Sequence, residues 1–109
     1  MAIDTKLLAE SAFDAALAAA KGQAKNVKTY AKKRAKIIAE GAVALAKDRI
    51  AGHIDNDDVK FAWEQIRLTE RSARLAVQVA TRAALQDAIN AALAVAAGAV
   101  NQAVGIKVI

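Results

Sequence analysis

Seven cations, Lys21, Lys25, Lys28, Lys32, Lys33, Arg34 and Lys36, fall close together, with no acidic residue between Asp14 and Glu40. On a helix, the spacing of Lys21, Lys25, Lys28, Lys32 and Lys36 by threes and fours collects them into one arc. Such a row of point charges suits contact with a polyanion, either nucleic-acid phosphates or anionic lipid. Base-stacking aromatics are nearly absent, with only Tyr30 close by, so the expected contact is non-specific. The plainer alternative is a solvated face, or one that meets acidic patches on neighbouring subunits.

The other reactive side chains do not assemble into a reaction centre. His53 is the only histidine, and Asp55, Asp57 and Asp58 beside it lack the glycine and terminal glutamate of a calcium loop. Glu10, Glu40, Glu64 and Glu70 have no Glu-x-x-His partner of the kind a di-iron bundle needs. No phosphate loop, dinucleotide fingerprint or nucleophile elbow is present, and the scattered serines and threonines have no base to activate them. The expectation is a non-enzymatic protein with no catalytic, metal or cofactor residues. Arg34 and Glu70 stand apart, because each lies in or beside the apolar stripe of its helix. A charge pair in such a seam sets register or partner choice more than it adds stability.

The elements that carry these residues follow from composition. Thirty of the 109 residues are alanine, proline and cysteine are absent, and the remainder is rich in leucine, lysine, arginine and glutamine. These are strong helix formers, and strand signals are missing. The clearest break is Gly52-His53-Ile54-Asp55-Asn56, where glycine can end one helix and Asp55 or Asn56 can cap the next. The reading is a single all-α domain over 1–109: a helix at about 4–51, a turn at 52–56, a helix at about 56–103 and a short C-terminal tail. Near-equal helices predict a long antiparallel two-helix hairpin. Its seam is alanine-rich, with Ala16 near Ala92 and Ala20 near Ala88. A kink in the first helix at Gly22 or Gly41 is the lesser alternative.

Helical periodicity adds a prediction about assembly. The second helix carries two apolar stripes almost opposite each other, and one hairpin can cover only one of them. The stripe of larger residues, Phe61, Leu68, Leu75, Val79, Ile89, Leu93, Val100 and Val104, is then left for another copy of the chain. That makes the protein a subunit of a homo-oligomeric helical complex, with itself as principal partner. The runner-up is a peripheral membrane- or polyanion-binding amphipathic helical protein.

A cysteine-free helical hairpin of this size resembles the small secreted hairpin proteins whose turn carries Trp-x-Gly. Here the turn reads Ala51-Gly52-His53-Ile54-Asp55 and Trp63 stands inside the second helix, so the resemblance is one of architecture. Alanine-rich, proline-free composition is similar to that of phage virion components, including internal and ejection proteins, and of granule-coating proteins. A structural subunit in a ring, tube or shell of a virion, with other virion proteins as further partners, is the function those likenesses imply. The first residues, Met1 to Lys6, carry no signal-peptide pattern, so cytoplasmic synthesis is expected. Ala88–Ile106 is uncharged, yet Asn90, Asn101, Gln102 and its glycines argue against a transmembrane span.

Overall fold

The chain reverses three times where the sequence predicts one reversal. The computed structural model describes residues 3–109; Met1 and Ala2, at the head of the segment read above for a signal peptide, lie outside the described residues. Four α-helices are present, α1 (Thr5–Ala20), α2 (Ala24–Ile50), α3 (Asn56–Ala73) and α4 (Arg82–Val104), joined in part by 3-10 turns at Lys21–Gln23, Arg74–Ala76 and Val79–Thr81. Counting those turns as helix, the helical runs are 5–50, 56–76 and 79–104. They form an all-α compact bundle measuring 43 × 23 × 18 Å. A straight helix over 5–50 would be about 69 Å long at 1.5 Å per residue. The first run must therefore fold back, and it does so at Lys21, with φ 50° and ψ −122°.

The turn between α2 and α3 is built from residues whose chemistry requires it. Gly52 takes φ +80°, the left-handed conformation that glycine adopts without strain. Its N–H donates to the Arg49 carbonyl (3.1 Å) and the His53 N–H to the Asp48 carbonyl (3.0 Å), the paired bonds of a Schellman ending. Asp55 then caps α3. Its Oδ1 accepts from the Asp58 N–H at 2.8 Å, while Asp58 Oδ2 accepts from the Asp55 N–H at 3.0 Å. Asp57 and Asp58 in the first turn also face the positive end of the helix dipole.

The core is alanine at three- and four-residue spacing. Ala12, Ala16 and Ala20 of α1, Ala31, Ala35, Ala39, Ala42 and Ala46 of α2, and Ala88, Ala92 and Ala96 of α4 are all buried. Ridges this low let helix backbones approach closely, and α1, α2 and α4 pack against one another pairwise. Val27, Ile38, Leu85, Ile89 and Val100 fill the spaces between them. The remaining helix, α3, docks chiefly on α2 through Val59, Trp63, Ile66 and Glu70, one face at helical spacing. Its larger side chains hold it off at a greater distance. Ile66 packs directly over Gly41, where an added Cβ would lie 3.1 Å from Ile66 Cδ1.

The two-helix hairpin is thus corrected to a bundle in which each expected long helix is folded in half, at Lys21–Gln23 and at Val77–Gln78. The physical reason lies in the two stripes of the second helix. A hairpin leaves one stripe exposed, whereas folding α1 back onto both α2 and α4 buries both arcs of α4 within one chain. The alanine blocks still meet, because α1 packs directly on α4. Beyond α4, the tail turns back at Gly105 (φ +94°), and Asn101 Oδ1 accepts from the N–H groups of Val108 (2.8 Å) and Ile109 (2.9 Å).

Candidate functional site

Two surfaces and one buried ion pair collect the residues singled out by the sequence. The first surface is the exposed side of α2, where Lys25, Lys28, Lys32 and Lys36 are all solvent-accessible. Lys21 leaves this row, since its backbone conformation places it in the reversal before α2 rather than on the helix. The ion pairs among the described residues are Arg34–Glu70, Arg67–Glu64 and His53–Asp48, so none neutralises a lysine of the row.

Folding α1 back beside α2 creates a groove of about 560 Å³ that composition does not reveal. It lies between Thr5–Phe13 of α1 and Thr29–Lys36 of α2. Ala9 and Phe13 are half-buried there, with Lys6, Lys32, Lys33 and Lys36 at its edges and Glu10 as its one acid. Periodicity alone places Phe13 in a core stripe. No local signal puts it opposite Lys32, because the two residues meet only through the reversal at Lys21.

The second surface is the outer face of α3. Phe61 and Leu68 of α3 and Leu75, in the 3-10 turn that continues it, recur every seven residues and are 69%, 45% and 58% exposed; Val79, in the next 3-10 turn, is also exposed. The rest of the predicted assembly stripe is corrected by the fold. Ile89, Leu93 and Val100 are buried in the bundle and Val104 packs against its core, because α4 lies against α1 and α2 and touches α3 at its margin. The stripe divides near Val77–Gln78, where both residues turn extended, with ψ of 166° and 146°. Phe61, Leu68 and Leu75 on one side of the break face solvent, whereas Ile89, Leu93 and Val100 on the other face inward.

Arg34 and Glu70 meet in a two-pronged ion pair between α2 and α3. Arg34 Nε donates to Glu70 Oε1 at 2.7 Å, and Arg34 Nη2 donates to Oε2. The Glu70 side chain is only 1% exposed. The hydrogen bond to Glu70, opposed in part by burial, holds the Arg34 guanidinium above its ordinary value, so the pair is ionised on the arginine side at any working pH. Among the described residues no buried side-chain polar atom lacks a hydrogen-bond partner. With its polar atoms satisfied from within the chain, the pair has a structural part in docking α3.

Among the described residues no cluster of three or more histidine and carboxylate side chains could hold a metal ion. His53 and Asp48 approach at 3.8 Å in the exposed turn, without a third ligand. Val79–Val104 is long and apolar enough to cross a membrane by length and composition, and in the bundle its Leu85, Ala88, Ile89, Ala92, Ala96 and Val100 are core residues. Compared with protein-family models, curated proteins and solved structures, the chain matches none at a significant level.

Proposed function

We propose that the protein is a non-enzymatic structural subunit that self-associates through the outer face of α3. The single observation behind this reading is the heptad row Phe61, Leu68 and Leu75. It stands in solvent on the side of α3 opposite the face that docks on the bundle. An apolar residue every seven supplies one of the two positions per heptad by which helices of separate chains pair; the other is held here by the polar Glu64, Gln65, Arg71 and Ser72, so the pairing would be narrow. Lys60, Glu64, Arg67 and Arg71 lie beside the row and offer both signs of charge to a neighbour. Each bundle exposes one such helix, so copies would join α3 to α3 into a homo-oligomer. Alanine-rich, proline-free composition suits a virion component as its setting. A Leu68→Glu/Leu75→Glu variant should keep its helical content and run as a monomer by mass in dilute buffer where the parent does not. A parent protein that is monomeric up to about millimolar concentration, where even weak interfaces are populated, overturns the reading.

A second reading rests on the unneutralised row Lys25, Lys28, Lys32 and Lys36. Non-specific contact with a polyanion would use it, and such binding weakens steeply with salt. Charge-neutral variants of these four lysines should lose that binding while leaving self-association intact.

A further inference from the structure

The groove between α1 and α2 has a property its residue types conceal. Most of its lining residues are lysine, threonine or glutamate, yet the surface they present to the groove is almost entirely apolar. Lysine stems can lie along a hydrophobic wall while the ammonium groups reach the water above. With Ala9 and Phe13 as further apolar lining, the result is a trough walled by methylene groups and crowned by Lys6, Lys32, Lys33 and Lys36. Only Glu10 opposes those four charges, and none of the four is engaged in an ion pair among the described residues.

We infer that this groove binds a single-chain anionic amphiphile, a free long-chain carboxylate, with its alkyl chain along Ala9 and Phe13 and its headgroup among Lys32, Lys33 and Lys36. The apolar walls match the chain and the excess positive charge matches the head, a complementarity that neither an uncharged nor a cationic amphiphile satisfies. The volume falls within the range of about 300–1,000 Å³ found for small-molecule sites. From Thr5 to Phe13 the α1 wall runs for about 12 Å, enough for a chain of about ten carbons. A bilayer is a poorer fit, because membrane surfaces take up apolar side chains that protrude and this surface is concave. No residue of α3 lines the groove, so the site is independent of self-association.

The test is calorimetric titration of the full chain with dodecanoate below its micelle concentration, beside dodecyltrimethylammonium and vesicles of anionic phospholipid. One dodecanoate should bind per chain, the cationic amphiphile should not compete, and affinity should fall at least tenfold in Lys32→Gln/Lys36→Gln. Both lysines are exposed, so this variant should keep the parent's circular dichroism and melting temperature. Ala9→Leu, which fills the trough, should abolish binding in a chain that melts like the parent. If Ala9→Leu fails to fold, the lysine variant still decides. Dodecanoate affinity unchanged in the lysine variant overturns the proposal, as does equal competition by the cation. Binding to anionic vesicles without binding of monomeric dodecanoate also overturns it and identifies a membrane surface instead.

Discussion

Arg34 of α2 and Glu70 of α3 form a two-pronged ion pair, with Glu70 sealed from solvent. It lies on the docking face of α3 beside Trp63 and Ile66, so its energy bears on whether α3 stays on the bundle. Removing one partner leaves a buried charge uncompensated. Arg34→Met should therefore destabilise the chain by about 3–5 kcal/mol. Replacing both partners, in Arg34→Met/Glu70→Leu, should recover most of that loss. Trp63, the only tryptophan and a buried one, reports the event, and its emission should shift to the red in the single variant and return in the double. A single variant that loses under about 1 kcal/mol, within the range of exposed pairs, would show that α3 docks without this pair.

Lys21 supplies a second prediction, because it carries φ 50° in the reversal that turns α1 back onto α2. A side chain in that region is strained by about 1 kcal/mol or more relative to glycine. Lys21→Gly should raise the unfolding free energy by about 1 kcal/mol in a denaturant titration. Gly22 has no positive φ, and an added Cβ there meets nothing within 4 Å. Gly22→Ala should accordingly cause no loss. The opposite order, with Gly22→Ala harmful and Lys21→Gly harmful too, would place the reversal one residue later.

The chain's turns differ in how far their own residues announce them. The α2–α3 turn is legible in the sequence because its residues carry their own instructions: Gly52 supplies the left-handed step and Asp55 supplies the cap. The reversal at Lys21–Gln23 carries only a weak one, Gly22, where the sequence allows a kink but does not specify a full turn, and Val77–Gln78 carries none; burial of α4 between its neighbours favours both reversals. The same contrast holds at the surfaces. Spacing along α2 accounts for the lysine row from Lys25 to Lys36, though not for Lys21, and the register about the α2–α3 turn accounts for the Arg34–Glu70 pairing. The groove does not, because Phe13 and Lys32 become neighbours only after Lys21 turns the chain. Ile89, Leu93 and Val100 share a helical arc with Leu68 and Leu75, so periodicity puts them on an outer surface, yet they lie inside.

The cap of α3 makes stability depend on acidity. Bonding from the Asp58 N–H holds the Asp55 carboxyl below its ordinary value of 3.8, so the folded chain binds this proton less readily than the unfolded chain. A depressed carboxylate contributes stability that is present above the unfolded value and lost as pH falls through the folded one. An Asp55→Asn variant keeps a side chain that caps but does not titrate. Melting temperatures followed from about pH 6 down to about pH 2, across the carboxylate range, should fall less steeply in the variant than in the parent. Parallel curves would mean that Asp55 is not capped in the folded chain.

Gly98 separates the α3 seam from a rival interface on α4. With Ala94 it forms the small-residue spacing that suits close helix contacts, yet in the bundle both residues face solvent, and an added Cβ at Gly98 meets nothing within 4 Å. If this face is free, the only consequence of Gly98→Ala is the removal of a glycine from a helix interior, which should stabilise the chain by about 0.8–1 kcal/mol. The oligomer proposed to form through Phe61, Leu68 and Leu75 should be unaffected by it. If another subunit instead packs its backbone against Ala94 and Gly98, the new methyl group collides with that neighbour. Gly98→Ala would then weaken the assembly while leaving the isolated chain more stable. Measuring oligomer mass and unfolding free energy on the same variant distinguishes the cases, and a weakened assembly would move the interface from α3 to α4.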